Sequence, residues 1–180
     1  MTERVRPLLS EEDIMARVGE LAEAVDADYA GRNLTLICLL KGGVIFMCDL
    51  AKRLKKAVVE LDFMDVSSYG DSTVSSSNIR IDKDLEHSVE GRNVILIEDI
   101  IDTGRTLSHV VKHLKRQEPA SLKVCTLLDK PSRRVDFDVT PEYVGFEIPD
   151  EFVVGYGLDY AQRYRNLPFI GVLEFIEENI

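Results

Sequence analysis

The residues Glu98 to Thr106, EDIIDTGRT, bring together two chemistries that ordinarily repel each other. Thr103, Gly104 and Thr106 offer backbone N–H groups and hydroxyls where a helix is expected to begin, at its positive end, and Gly104 lets the backbone approach a phosphate closely. Glu98, Asp99 and Asp102 stand beside that cradle. Three carboxylates next to a bare phosphate are unfavourable unless a cation or hydroxyl donors lie between them. The ligand is therefore expected to bring sugar hydroxyls, magnesium, or both. Acids in the first turn of a helix are stabilising on their own account, but that explains one of the three. The spacing matches neither Gly-x-x-x-x-Gly-Lys-Ser/Thr nor Gly-x-Gly-x-x-Gly, so a P-loop and a dinucleotide fingerprint are excluded.

The elements that must position this loop follow from apolar periodicity. Val94 to Ile97 reads as a buried strand before it, and Leu107, Val110, Val111 and Leu114 as a helical stripe after it. Leu34 to Leu40, Lys41-Gly42-Gly43 and then Val44, Met47, Ala51 and Leu54 repeat the order strand, tight turn, helix. Ser10 with Asp13 predicts a capped helix carrying Ile14, Val18, Leu21 and Val25. Val59, Leu61 and Phe63 predict a strand with one wetter face, and further strands are expected at Leu122–Leu128, Tyr143–Ile148 and Phe169–Leu173. Between two strands, the polar run from Ser67 to Asn78 (SSYGDSTVSSSN) reads as a long loop suited to an active-site lid. Strands alternating with helices imply an α/β fold, a mainly parallel central sheet flanked by helices on both faces.

The chain has 180 residues, 45% of them hydrophobic and 30% charged, which fits one folded domain over residues 1–180. Its formal net charge of −10 argues against general binding to nucleic acid or anionic membranes. The Lys52, Arg53, Lys55, Lys56 cluster is read as the cationic end of a helix. MTERVRPLLSEED has no apolar core of a signal peptide, and no run approaches a membrane span, so a cytoplasmic location is expected. Cys38, Cys48 and Cys125 are dispersed in apolar stretches and are expected as buried free thiols.

The order of apolar strand, two acids, two apolar residues and Asp-Thr-Gly-Arg-Thr resembles the phosphoribosyl-pyrophosphate motif of the type I phosphoribosyltransferases. Lys41-Gly42, Ser68-Tyr69, Lys130 and the segment GFEIPDEFVVGYGLDYAQRYR, Gly145 to Arg165, extend the likeness over nearly the whole chain, towards members that act on hypoxanthine and guanine. Many of those carry Lys where Arg105 stands, which keeps the charge and alters donor geometry.

The resemblance implies a small hood formed by terminal segments and a magnesium-dependent reaction of purine salvage. The 5-phosphoribosyl group of phosphoribosyl pyrophosphate passes to a 6-oxopurine base, giving pyrophosphate and a purine nucleoside monophosphate, IMP or GMP. It assigns Thr103, Gly104, Arg105 and Thr106 to the 5′-phosphate, Glu98 and Asp99 to ribose hydroxyls and metal, and Asp159 to a second metal. Lys41 and Arg165 fall at the pyrophosphate, with Gly42 among the substrate-binding residues and a cis Leu40–Lys41 peptide. Asp102 is the implied general base or acid at purine N7. Lys130 is implied to donate to the 6-oxo group, Phe152 to stack on the base, Val153 to contribute backbone groups, and Ser68 and Tyr69 to belong to the lid. Homodimers or homotetramers are expected by the same likeness. The rival from another class is a regulatory protein of this fold that binds RNA or DNA, which would need a basic face. Xanthine, adenine, uracil and orotate transferases share the loop and are disfavoured by Lys130 with Phe152.

Overall fold

Every residue from Val94 to Ile97 is buried, so the strand that carries them must be covered on both faces. A computed structural model describes residues 2–69 and 78–176 and shows how this is done. In chain order the elements are β1 (Thr2–Leu9), α1 (Glu11–Tyr29), β2 (Asn33–Leu40), α2 (Val44–Ala51), β3 (Val58–Tyr69) and β4 (Asn78–Lys83). There follow β5 (Asn93–Ile101), α3 (Arg105–Lys115), β6 (Ser121–Asp129), a 3-10 turn at Pro131–Arg133, β7 (Tyr143–Glu147), β8 (Val153–Val154) and β9 (Ile170–Ile176).

Six strands form the main sheet in the order β4-β3-β2-β5-β6-β7. Only the β3–β4 pair is antiparallel. Alternation along β2 and β5 divides the core in two. Leu36, Cys38, Ile95 and Ile97 pack with Ile14, Val18 and Leu21 of α1 and Phe46, Met47 and Leu50 of α2. Ile37, Leu39, Val94 and Leu96 pack on the opposite face with Leu107, Val110, Val111 and Leu114 of α3. The expected mainly parallel sheet with helices on both faces is thus present. The chain leaves β2 towards β3 on one side, while β5, β6 and β7 extend the other way. The carboxyl ends of β2 and β5 therefore flank the point where strand order reverses, the usual ligand crevice of such sheets.

The hood is a separate antiparallel sheet, β1-β9-β8, with Val5 opposite Leu173 and Val153 opposite Val172. It is made from both terminal segments together with β8. In α1 the capping box is formed: Ser10 Oγ accepts from the Asp13 backbone N–H at 3.1 Å, and Asp13 accepts in return from the Ser10 backbone N–H.

Several expectations need correction. Cys38 and Cys125 are buried, but Cys48 is exposed, because the buried face of α2 runs through Phe46, Met47 and Leu50. The helix ends at Ala51, so the basic cluster follows it as a turn; the Lys55 and Lys56 backbone N–H groups donate to Asp26 at 2.8 and 3.0 Å. Leu61 is 47% exposed, on the part of β3 that lies before its pairing with β4 at Asp65 to Tyr69. Ser67, Ser68 and Tyr69 belong to β3 and Asn78 to β4, joined by antiparallel pairing. The centre of the lid expected there, 70–77, and the side chains of Ser68 and Tyr69 lie outside the described residues.

Candidate active site

The phosphate cradle is built by the turn from β5 into α3. Gly104 caps the helix with φ 84°, and a Cβ there would fall 2.5 Å from the Asp136 carbonyl oxygen and 2.8 Å from Arg134 Cδ. A side chain is excluded by both conformation and space. The first turn of α3 holds no acid, while Lys112, His113 and Lys115 sit in its last turn. The positive end of the helix is thus left to a ligand, and the three acids belong to β5 and the turn rather than to the helix. A cavity of about 100 Å³ opens here, lined by Glu98, Asp102, Thr103, Gly104 and Thr106 among others. Arg105 is exposed on the first turn and does not line it.

Glu98 lines that cavity, and Asp99 stands beside the loop that follows β2. Burial, and after it the negative charge of Asp99, pushes the Glu98 carboxyl well above its ordinary range. Asp99 lies against the loop after β2: a Cβ on Gly42 would fall 1.6 Å from Asp99 Oδ2. Gly42 is therefore the residue that lets the loop pass the acid. The Leu40–Lys41 peptide is cis, as the resemblance implied.

The residues that the resemblance places at the pyrophosphate include a segment after β8. Gly157 touches the same loop, since a Cβ on it would fall 2.1 Å from the Gly42 carbonyl oxygen. Arg165 reaches Asp159 Oδ1 at 2.7 Å and the Gly157 carbonyl at 2.7 Å. Gln162 Oε1 lies 3.5 Å from Lys41 Nζ and 3.4 Å from Arg165. The two cations assigned to the pyrophosphate thus converge on one side chain. Positive φ angles at Gly155, Tyr156, Gly157, Ala161, Gln162 and Tyr164 mark this segment as a shape held by its surroundings. Part of that hold is the Tyr156 hydroxyl, which donates to Asp49 on α2 at 2.8 Å.

Among the described residues no three metal-ligating side chains converge. Asp159 already engages Arg165 and the Gln162 backbone N–H. The adjacent carboxylates of Glu98 and Asp99, with no cation of the protein between them, nevertheless suit a hard cation whose other ligands are substrate oxygens and water, the usual manner of magnesium.

At the base end, Lys130 is buried, 7% exposed, and its backbone N–H donates to Ile101 at 3.0 Å. It is not an ordinary surface lysine. Phe152 is 53% exposed on the hood and meets Tyr160 edge-on, with ring centroids 5.8 Å apart. It is not a core phenylalanine either. Val153 follows on β8, the edge strand of the hood sheet. Asp102 Oδ1 accepts from Arg133 Nε at 3.0 Å. Sequence reading missed Arg133, Asp150, Gln162, Tyr156 and the ion pair of Arg134 with Asp129. Each acts through a partner that only the fold brings close, although the positions beside Lys130 were the ones to inspect.

Comparison with known proteins agrees with this geometry. Residues 6–161 match the family model described as the phosphoribosyl transferase domain. The hypoxanthine-guanine phosphoribosyltransferase of Bacillus subtilis is 54% identical over 167 residues, which cover 93% of this chain and 92% of that protein. The bifunctional protein TilS/HprT of Listeria innocua is also 54% identical over 167 residues, but there the chain spans 26% of the relative's length. Among solved structures, a hypoxanthine-guanine phosphoribosyltransferase of Bacillus anthracis superposes with a TM-score of 0.89 at 43% identity, covering 97% of this chain and 100% of that one. A hypoxanthine phosphoribosyltransferase of Staphylococcus aureus gives 0.89 at 48% identity, covering 94% and 91%. On these matches and the cavity that Glu98, Asp102 and Gly104 line at the end of β5, this chain belongs to the phosphoribosyl transferase domain family, among the hypoxanthine-guanine phosphoribosyltransferases.

Proposed function

We propose that the protein transfers the 5-phosphoribosyl group of phosphoribosyl pyrophosphate to hypoxanthine, and to guanine, releasing pyrophosphate and IMP or GMP. The observation that carries this reading is the cavity lined by Gly104, Glu98 and Asp102 where β5 ends at the reversal of strand order, with Lys130 hydrogen-bonded to the residue before Asp102.

In the reaction the bond from ribose C1 to pyrophosphate oxygen breaks and a bond from C1 to purine N9 forms, through a transition state with oxocarbenium character. Thr103 to Thr106 hold the 5′-phosphate at the helix end. Glu98 and Asp99 accept from the ribose hydroxyls. Lys41 and Arg165 place positive charge at the departing pyrophosphate. Asp102 takes the proton from purine N7 as N9 bonds to carbon, a role that typically contributes ~10² to 10⁴ in rate. Lys130 donates to the 6-oxo group, which favours hypoxanthine and guanine over the 6-amino group of adenine. Phe152 covers the base, and the backbone of Val153 meets its edge. The Ser68–Tyr69 segment begins the lid that excludes water.

Glu98 and Asp99 on the ribose side, and Asp159 on the pyrophosphate side, would hold magnesium, which would supply Lewis-acid charge neutralisation when bound. A homodimer or homotetramer in the cytoplasm completes the reading. In the described residues no helix is long and apolar enough to cross a membrane. The test is product formation from magnesium and phosphoribosyl pyrophosphate with hypoxanthine, guanine, xanthine, adenine and uracil. Turnover with hypoxanthine and guanine is expected; no turnover of any 6-oxopurine overturns the reading.

A further inference from the structure

Four charged side chains cross the base end of the crevice in a row, and the roles above use only the two at its ends. Arg133 Nε lies 3.0 Å from Asp102 Oδ1 and 3.7 Å from Asp150 Oδ1, and Lys130 Nζ lies 3.8 Å from the same Asp150 oxygen. Asp102 and Lys130 are the groups assigned to the purine ring, at N7 and at the 6-oxo group. Arg133 and Asp150 join them.

We propose that Arg133 is a positioning residue that holds the Asp102 carboxylate for proton exchange with the base, and that Asp150, shared by Arg133 and Lys130, keeps the two base-facing groups in register. The inference rests on the role given to Asp102 in the proposed function.

Arg133 is carried on backbone that is hydrogen-bonded on both sides. It ends the 3-10 turn that starts one residue after Lys130, and its backbone N–H donates to the Lys130 carbonyl at 3.0 Å. Beyond it, the Val135 and Asp136 backbone N–H groups both donate to the Thr103 carbonyl at 3.0 Å, pinning the turn to the phosphate loop. The neighbouring Arg134 is sunk in its pair with Asp129, with side chains 7% and 11% exposed. Arg133 and Asp102 are far wetter, at 48% and 43%, so their pairing is screened and does little for overall stability. Its effect is local. Arg133 engages Oδ1, which leaves the Oδ2 side of Asp102 to the base. A guanidinium presents several donors in a fixed fork and can serve two carboxylates at once, whereas an ammonium is a point charge.

The test is a double-mutant cycle on the full chain, with kcat for IMP formation measured at saturating magnesium and phosphoribosyl pyrophosphate. Arg133→Met is expected to lower kcat by about 5- to 30-fold with the KM for phosphoribosyl pyrophosphate within about twofold, and Arg133→Lys to recover part of the loss. In an Asp102→Asn background the Arg133→Met change is expected to alter kcat by less than about twofold. An equal loss in both backgrounds, or no loss in either, overturns the inference and leaves the role of Asp102 standing. Full turnover by Asp102→Asn alone overturns that role, and the inference with it. Unchanged far-ultraviolet circular dichroism shows that the variants are folded.

Discussion

The backbone N–H of Lys130 donates to the carbonyl of Ile101 at 3.0 Å, one residue before Asp102. This bond continues the parallel pairing of β5 with β6, in which Ile101 stands opposite Asp129. The backbones that carry the group assigned to the 6-oxo oxygen and the group assigned to N7 are thus set side by side by sheet register. A rigid sheet edge can hold such a pair at one separation, which positioning on mobile loops does not ensure.

Replacing Lys130 by Met keeps the unbranched apolar stem and removes the donor. The kcat/KM for hypoxanthine should fall by about 10- to 100-fold, the range expected for a lost hydrogen bond from a charged group. Binding of magnesium phosphoribosyl pyrophosphate, read as a thermal shift, should persist. An unchanged kcat/KM for hypoxanthine would remove Lys130 from the base site.

Gly42→Ala should act on Asp99, whose Oδ2 occupies the space of the new methyl group. Either the acid or the loop must move, and the proposed function assigns both to the sugar and pyrophosphate. The kcat/KM for phosphoribosyl pyrophosphate is expected to drop at least ~10-fold while circular dichroism stays the same, because small misplacements cost much in rate. Normal kinetics would show that the loop yields freely.

Gly104→Ala and Gly31→Ala form a matched pair. Both positions have positive φ, 84° and 73°, but nothing lies within 4 Å of a Cβ on Gly31. Conformation alone should cost each variant ~1 to 2 kcal/mol in urea unfolding. Gly104→Ala should lose more, through Asp136 and Arg134, and should also lose the thermal shift with phosphoribosyl pyrophosphate. Equal losses of stability would mean that the 134–136 segment gives way.

The Asp49–Tyr156 bond ties α2 to the pyrophosphate segment and makes stability depend on pH. Burial alone would raise the Asp49 carboxyl, but hydrogen bonds from Lys52 and Tyr156 outweigh it and hold the group below the ordinary aspartate value. Its stabilisation is therefore present above the unfolded-state value and is lost as pH falls through the lower folded-state value. Asp49→Asn should be less stable than the parent at pH 7, and the gap in unfolding free energy should shrink below about pH 4. A gap that stays constant down to pH 3 would show that the charge is not the cause.

The phosphate loop was legible because it is local: VILIEDIIDTGRT contains its strand, its acids and its cap in thirteen consecutive residues. The sheet was legible from short apolar runs between helical stripes, while the two core faces came from the fold. β1 was not, since Thr2–Leu9 mixes charged residues with Pro7 and becomes a strand only by pairing with β9 at the far end of the chain. Gln162 and Arg133 escaped for a similar reason. Their meaning lies in Lys41, 121 residues away, and Asp102, 31 residues away, and polar surface residues carry no periodic signal. Cys48 was misplaced because a cysteine in an apolar stretch can face either side of a short helix, and the fold turned this one outward.

The most direct measurement follows pyrophosphate and nucleotide together in one reaction of the protein with magnesium phosphoribosyl pyrophosphate and either hypoxanthine or adenine. The account predicts one IMP formed for each pyrophosphate released with hypoxanthine, and little release of either product with adenine. Pyrophosphate release without IMP, or AMP formed as readily as IMP, would contradict it.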